Sequence, residues 1–148
     1  MTDTVTALVI PVDGRNNTVT DMPTSESGSC LEGLREQLNC RMVEPVGLEY
    51  EDEQHGIIHV DFWFDEEGFF TNEPVCNLLA MHIMDAILGT SGRLRQPYVG
   101  NCVVTALNPE TGDTISLPPH AIVKLKEILS TFSPVDAYQR IYQPIMGV

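Results

Sequence analysis

Histidine, cysteine and carboxylate side chains carry most of the chemistry open to this chain, and several of them fall close together in sequence. His59 and Asp61 stand two residues apart, a spacing that puts both on one face of a β-strand. With His55 and Asp65 they offer nitrogen and oxygen ligands of the kind a divalent cation takes. A solvated strand face explains the same pattern, so no metal is expected there. Cys76 falls where a helix is predicted to begin, and unpaired N–H groups and the helix dipole would favour its thiolate, with His82 as the base. Six residues separate the two, which places them on different faces of a helix. The expectation is therefore a buried thiol and no catalytic residue.

Two acidic clusters are the other candidates. Glu49, Glu51, Asp52 and Glu53 precede a strand-like segment, and Asp65, Glu66 and Glu67 follow it. Eight residues of strand span roughly 26 Å, so the clusters are expected at opposite ends, like separated points along a phosphate backbone. An acidic surface serving solubility is the plainer reading. Phosphate recognition needs cations or helix N-termini, and Arg93, Arg95 and the predicted helix start near Asn77 are the candidates for it. Walker loops, GxGxxG, HExxH and GxSxG are absent from the sequence, which argues against the commonest enzymes without excluding others.

Charge sharpens this picture. The 148 residues hold 21 acidic and 8 basic side chains, a net charge of −13. Residues 1–74 contain 16 Asp and Glu against three Arg, while residues 75–148 hold five of each sign. Between Arg41 and Arg93 there is no Lys or Arg at all. Direct nucleic-acid binding through a broad basic surface is thus not expected, and one region must carry a strong negative potential. With 43% hydrophobic residues the chain can build a core, which excludes wholesale disorder. Its longest apolar stretch, 78–88, is interrupted by His82 and Asp85 and is far short of the ~20 residues a membrane span needs. The N-terminal residues lack a basic, signal-like start, and the four cysteines lack CxxC pairing, so reduced thiols in a cytoplasm are expected.

The elements that must position these residues read as follows. Thr4 to Val12 and Thr18 to Met22, joined through Asp13-Gly14-Arg15-Asn16-Asn17, predict a hairpin. Ser29 with Glu32 resembles a capping box opening a helix that carries Leu31, Leu34 and Leu38. Arg41 to Leu48 reads as a short strand that Pro45 pushes to an edge or ends, followed by an acidic loop from Glu49 to Gly56. Ile57 to Phe64 is the clearest strand, with Ile58, Val60, Phe62 and Phe64 as its core face. A turn at Asp65 to Gly68 and a short pairing strand at Phe69-Phe70 come next. A helix with Pro74 in its first turn then runs to about Leu88 and ends at Gly89 to Gly92. Being apolar almost all round, it predicts deep burial or a partner surface. Val99 to Leu107 and Thr114 to Leu117 predict a second hairpin, Pro119 to Phe132 a helix, and Ser133-Pro134 a further short helix through about Tyr142. Trp63, Tyr138 and Tyr142 are candidate aromatic anchors. The order ββαββαββαα is α+β, a mainly antiparallel sheet with three to four packed helices, with a core over 1–117 and a helical extension over 118–148 that packs on the core or serves oligomer contacts.

Pro11-Val12-Asp13-Gly14, Asp65-Glu66-Glu67-Gly68, Pro74-Val75-Cys76-Asn77-Leu78-Leu79-Ala80 and Gly100-Asn101-Cys102-Val103-Val104 together resemble the domain of unknown function 3846 family of bacteriophages and their hosts, especially actinobacterial ones. The resemblance covers about Val5 to Leu117. In the family pattern the Asn after the proline and the Ala three positions later fit Asn77 and Ala80, and the glycine before the last strand pair fits Gly100. Asn101 departs from a position that is often acidic. The resemblance implies a small phage-type cytoplasmic protein and transfers no catalytic residue.

Two functions of different kind follow as expectations. The first is a non-enzymatic, acidic binding protein, phage-encoded, that engages a basic surface of a host nucleic-acid-binding or defence protein through Glu49, Glu51, Asp52, Glu53, Asp65, Glu66 and Glu67. The alternative is an oligomeric pocket protein that sequesters a small nucleotide-like signal through Asn77, Arg93 and Arg95. An uncharacterised enzyme stands third. No cofactor and no membrane are expected, and a homo-oligomer is.

Overall fold

The computed structural model describes residues 3–13, 16–71, 73–89 and 94–147. Six strands form one antiparallel sheet: β1 (Thr4–Ile10), β2 (Thr18–Pro23), β3 (Val43–Asp52), β4 (Gly56–Asp65), β5 (Cys102–Leu107) and β6 (Thr114–Ile115). The order is β2-β1-β5-β4-β3, with β6 pairing β5 beyond the end of the β1 contact. Helix α1 (Leu31–Leu38) joins β2 to β3, and α2 (Leu78–Leu88) joins β4 to β5. The chain ends in α3 (Pro119–Ser130), α4 (Pro134–Ala137), a π-helical turn (Tyr138–Tyr142) and α5 (Gln143–Met146).

The two sheet faces are covered by different helices, and strand alternation decides which side chain meets which. On one face Leu8, Ile10, Val60, Phe62, Phe64, Cys102 and Val104 pack against Ala80, Ile83 and Met84 of α2 and Ala121 and Leu125 of α3. On the other, Val5, Ala7, Val9 and Val103 meet Leu34 and Leu38 of α1. The apolar face expected of Ile58, Val60, Phe62 and Phe64 is the core face of β4. Helix α2 owes its largely apolar sequence to burial from both sides. Ile83 and Met84 face the sheet, and Met81 faces Ala137 and Ile141 of the terminal helices. The segment from 118 onward thus lies on the core.

Several local expectations are corrected. β3 does not stop near Pro45 and Leu48; it runs ten residues to Asp52, so Glu49 to Asp52 belong to a strand, not a loop. It is the terminal strand of the sheet, where a missing proline N–H need not break a ladder, and it keeps register with β4 from Val43↔Asp65 to Asp52↔Gly56. The capping box at Ser29 does not form: Cys30 is the N-cap of α1 without a side-chain bond, and Ser29 Oγ accepts from the Leu31 N–H instead. Phe69 and Phe70 close a 3₁₀ turn (Gly68–Phe70), not a strand. Helix α2 starts only after Asn77, leaving Pro74 and Cys76 in an extended segment whose Cys76 bridges Val99. Ser133 does cap α4, accepting from the Asp136 N–H, but helical turns continue past Tyr142 to Met146.

Candidate functional site

β3 and β4 form a long ribbon at the sheet edge, and its two ends hold the two acidic clusters apart, as the spacing predicts. The ends differ in what becomes of the carboxylates. At the Val43↔Asp65 end, Arg41 grips Glu67 through two bonds, Nε at 3.2 Å and Nη2 at 2.7 Å. Asp65 Oδ1 accepts the Glu67 N–H at 2.8 Å, so it shapes the turn. Of the three acids named for this end, the structure ties two into the protein and leaves Glu66 exposed.

At the tip, Asp52 is also occupied. Its Oδ1 accepts the backbone N–H of Gln54 at 2.9 Å and of His55 at 3.0 Å, and lies 3.0 Å from the His55 Nδ1. Those bonds stabilise the charged carboxylate and hold its pKa below the ordinary value. Glu49, Glu51 and Glu53 are exposed around it, and among the described residues no Lys or Arg pairs with them. Glu49 Oε2 lies 3.4 Å from the His59 Nδ1 across the ribbon. The potential at the tip is therefore less compensated than at the Arg41 end.

His59 and Asp61 share a face as expected, but His55 and Asp65 do not join them. They lie at the two ends of β4, roughly 30 Å apart at strand rise. Asp61 is enclosed beside Gly47, where an added Cβ would stand 3.3 Å from its Oδ1, so the glycine makes room for the carboxylate. Desolvation pushes the Asp61 carboxyl above its usual range. Next along this face the Trp63 Nε1–H donates to Thr105 Oγ1 at 2.9 Å.

The candidates of the alternative reading are placed differently. Asn77 is buried, and its side chain is spent on the fold: Nδ2 donates to the Ile10 and Gly100 carbonyls at 2.9 Å each, and Oδ1 accepts the Ala80 N–H at 3.0 Å. It ties β1, the entry to β5 and α2 together. Arg95 is exposed, and Arg93 lies outside the described residues. A recess of about 550 Å³ does open on the α1 face between Cys30, Leu31, Trp63 and Asp113, but its lining contains no Lys, Arg or His.

Nucleophile chemistry also finds little to build on. Cys76 lies outside α2, and burial raises its thiol pKa, as it does for Cys30 and Cys40 and most of all for Cys102. His82 is buried, with Nε2 3.0 Å from both the Ile128 carbonyl and Thr131 Oγ1, and Nδ1 3.3 Å from Arg140 Nη2. Arg140 also bonds Asp85 and Asp136, so His82 helps lock the terminal helices to α2. Tyr138 and Tyr142 stack on one another, ring centroids 5.2 Å apart.

One grouping escaped sequence reasoning. His120, on the first turn of α3, stacks on His55 with ring centroids 3.7 Å apart and planes 4° from parallel. Their separation of 65 positions leaves no spacing signal; only the Asp52-to-His55 turn was there to be seen.

The molecule is thus an α+β protein whose antiparallel sheet is covered by helices on both faces and carries an acidic ribbon at one edge. The family model for the domain of unknown function DUF3846 matches residues 5–130, and the chain belongs to that family. The match continues past Leu117 through α3, further than the residues that suggest the resemblance. No curated protein and no solved structure matches the chain. Asn77, Ala80 and Gly100, which carry the resemblance in the middle of the chain, are one hydrogen-bonded unit, with Gly100 at φ +79 where a side chain would strain the backbone.

Proposed function

We propose that this protein is a non-enzymatic binding module that engages a basic surface of another protein through the acidic tip of the β3–β4 ribbon. The observation that carries the reading is the exposure of Glu49, Glu51 and Glu53 on an edge ribbon with no Lys or Arg partner among the described residues. Complementary charge raises the rate of encounter and disfavours acidic competitors, and the reward is greatest where carboxylates are not already neutralised from within. Glu66 extends the negative field at the other end, while Asp52, Asp65 and Glu67 serve it from positions bonded into the protein. We take the partner to be a host nucleic-acid-binding or defence protein and this chain to be phage-encoded. A nucleotide-sequestering pocket has less support, because Asn77 is committed to the fold and the recess beside Trp63 presents Asp113 and no cation.

The test is capture from host lysate by the tagged protein at low and high salt, with Glu49→Lys/Glu51→Lys/Glu53→Lys alongside. The reading expects a stoichiometric basic protein, released by salt and lost in the variant, whose thermal unfolding stays unchanged. Equal capture by the variant, or no basic protein at all, contradicts it.

A further inference from the structure

The junction between the ribbon tip and α3 brings together Asp52, His55 and His120, whose potential ligand atoms all lie within 4.8 Å of one another. Three features of this junction point to a ligand. Two imidazoles from distant parts of the chain are brought together, with ring centroids 3.7 Å apart. The Nδ1 of His120 is enclosed and has no hydrogen-bond partner, a state that a buried polar atom avoids unless something fills it. And the Asp52 carboxylate is oriented by two backbone N–H groups, the kind of support that fixes a metal-binding carboxylate in place.

We propose that Asp52, His55 and His120 bind a divalent transition-metal ion of the zinc, nickel or copper class. Two imidazole nitrogens and one carboxylate oxygen form the ligand set those borderline ions prefer, whereas magnesium and calcium require oxygen. Ligands sharing a tetrahedral ion at about 2.1 Å sit roughly 3.4 Å from one another. The 3.0 Å between Asp52 Oδ1 and His55 Nδ1 and the 4.8 Å limit for the set bracket that separation, and the two parallel rings must turn out of their stack for both in-plane lone pairs to meet one ion. Three protein ligands leave a position open, and His55 faces solvent, so water or a partner's side chain would complete the shell. Bound metal would pin the ribbon tip to α3. This site does not depend on the basic-partner reading, since the glutamates that reading invokes are not ligands.

The experiment is titration of chelator-treated, full-length protein with ZnCl₂ or NiCl₂ alone, followed by calorimetry and thermal unfolding, with MgCl₂ as the contrast. The expected result is saturable one-to-one binding and, at a hundredfold excess over Kd, a Tm rise of roughly 5–10 °C that magnesium does not give. His55→Ala, which retains the Asp52 backbone bonds of the turn, should weaken binding at least tenfold, and His120→Ala likewise. If His120→Ala fails to fold, His55→Ala with Asp52→Asn supplies the decision. Absence of saturable zinc or nickel binding, or unchanged affinity in His55→Ala, overturns the proposal.

Discussion

The Asn77 junction and the tip of the β3–β4 ribbon are both rich in polar groups, yet they use them in opposite ways. At the junction each polar end of the Asn77 side chain is bonded to the protein and shielded from water. At the tip, Glu49, Glu51 and Glu53 surround a turn built by Asp52 and remain in solvent. Asn77, Ala80 and Gly100, which carry part of the family resemblance, sit at the first place, so that part of the resemblance reports how the chain folds. The second place is the one whose carboxylates stay available for recognition by charge.

The largest expected effect breaks the junction. Asn77→Ala removes the cap of α2 and strands the buried Ile10 and part-buried Gly100 carbonyls, which together should cost about 3 kcal/mol and lower Tm by roughly 6–12 °C. Differential scanning calorimetry measures it, and a shift under about 2 °C would show the junction to be dispensable. The tip should respond in the reverse sense. Glu49→Lys/Glu51→Lys/Glu53→Lys should leave Tm almost unmoved and weaken binding to a basic partner at least tenfold, or about 1.4 kcal/mol. Arg41→Ala sharpens the contrast between the ribbon's two ends. By releasing Glu67 it should strengthen capture modestly with little change in Tm, and a weakened capture would argue that the Arg41 end is itself a contact.

The smallest effect concerns Asp61. Its folded pKa lies above its unfolded value, so the native state holds the proton more tightly. Stability contributed by this group is therefore present at low pH and lost as pH rises from the ordinary carboxylate range through the raised folded value. Asp61→Asn should raise Tm at neutral pH, and the gain should vanish in acid below that range. A gain independent of pH would mean that packing against Gly47, not desolvation, sets the effect.

Much of the architecture was legible because alternation and helical spacing report burial directly. Val60, Phe62 and Phe64 declared the core face of β4, and Leu125 that of α3. Misreadings fell where tertiary context overrides local preference. Pro45 reads as pushing its strand to an edge or ending it; the strand does lie at the sheet edge, and the misreading is its end near Leu48, since it runs on to Asp52. Pro74 reads as a first helical residue until Asn77 is seen to cap α2 three residues later. The separation of the acidic clusters followed from strand rise alone. Their unequal neutralisation did not, because Arg41 and Glu67 are 26 residues apart and meet only through the β3–β4 register. His120 was invisible as a partner of His55 for the same reason: α3 must first dock across α2 and the sheet.

The most direct test of the central claim, that recognition resides in the uncompensated ribbon tip, is the salt dependence of affinity for a purified basic partner. The slope of log Kd against log salt should be steep for the natural chain and markedly shallower for Glu49→Lys/Glu51→Lys/Glu53→Lys, whose binding is weaker at every concentration. Superimposable curves for the two proteins would contradict the account.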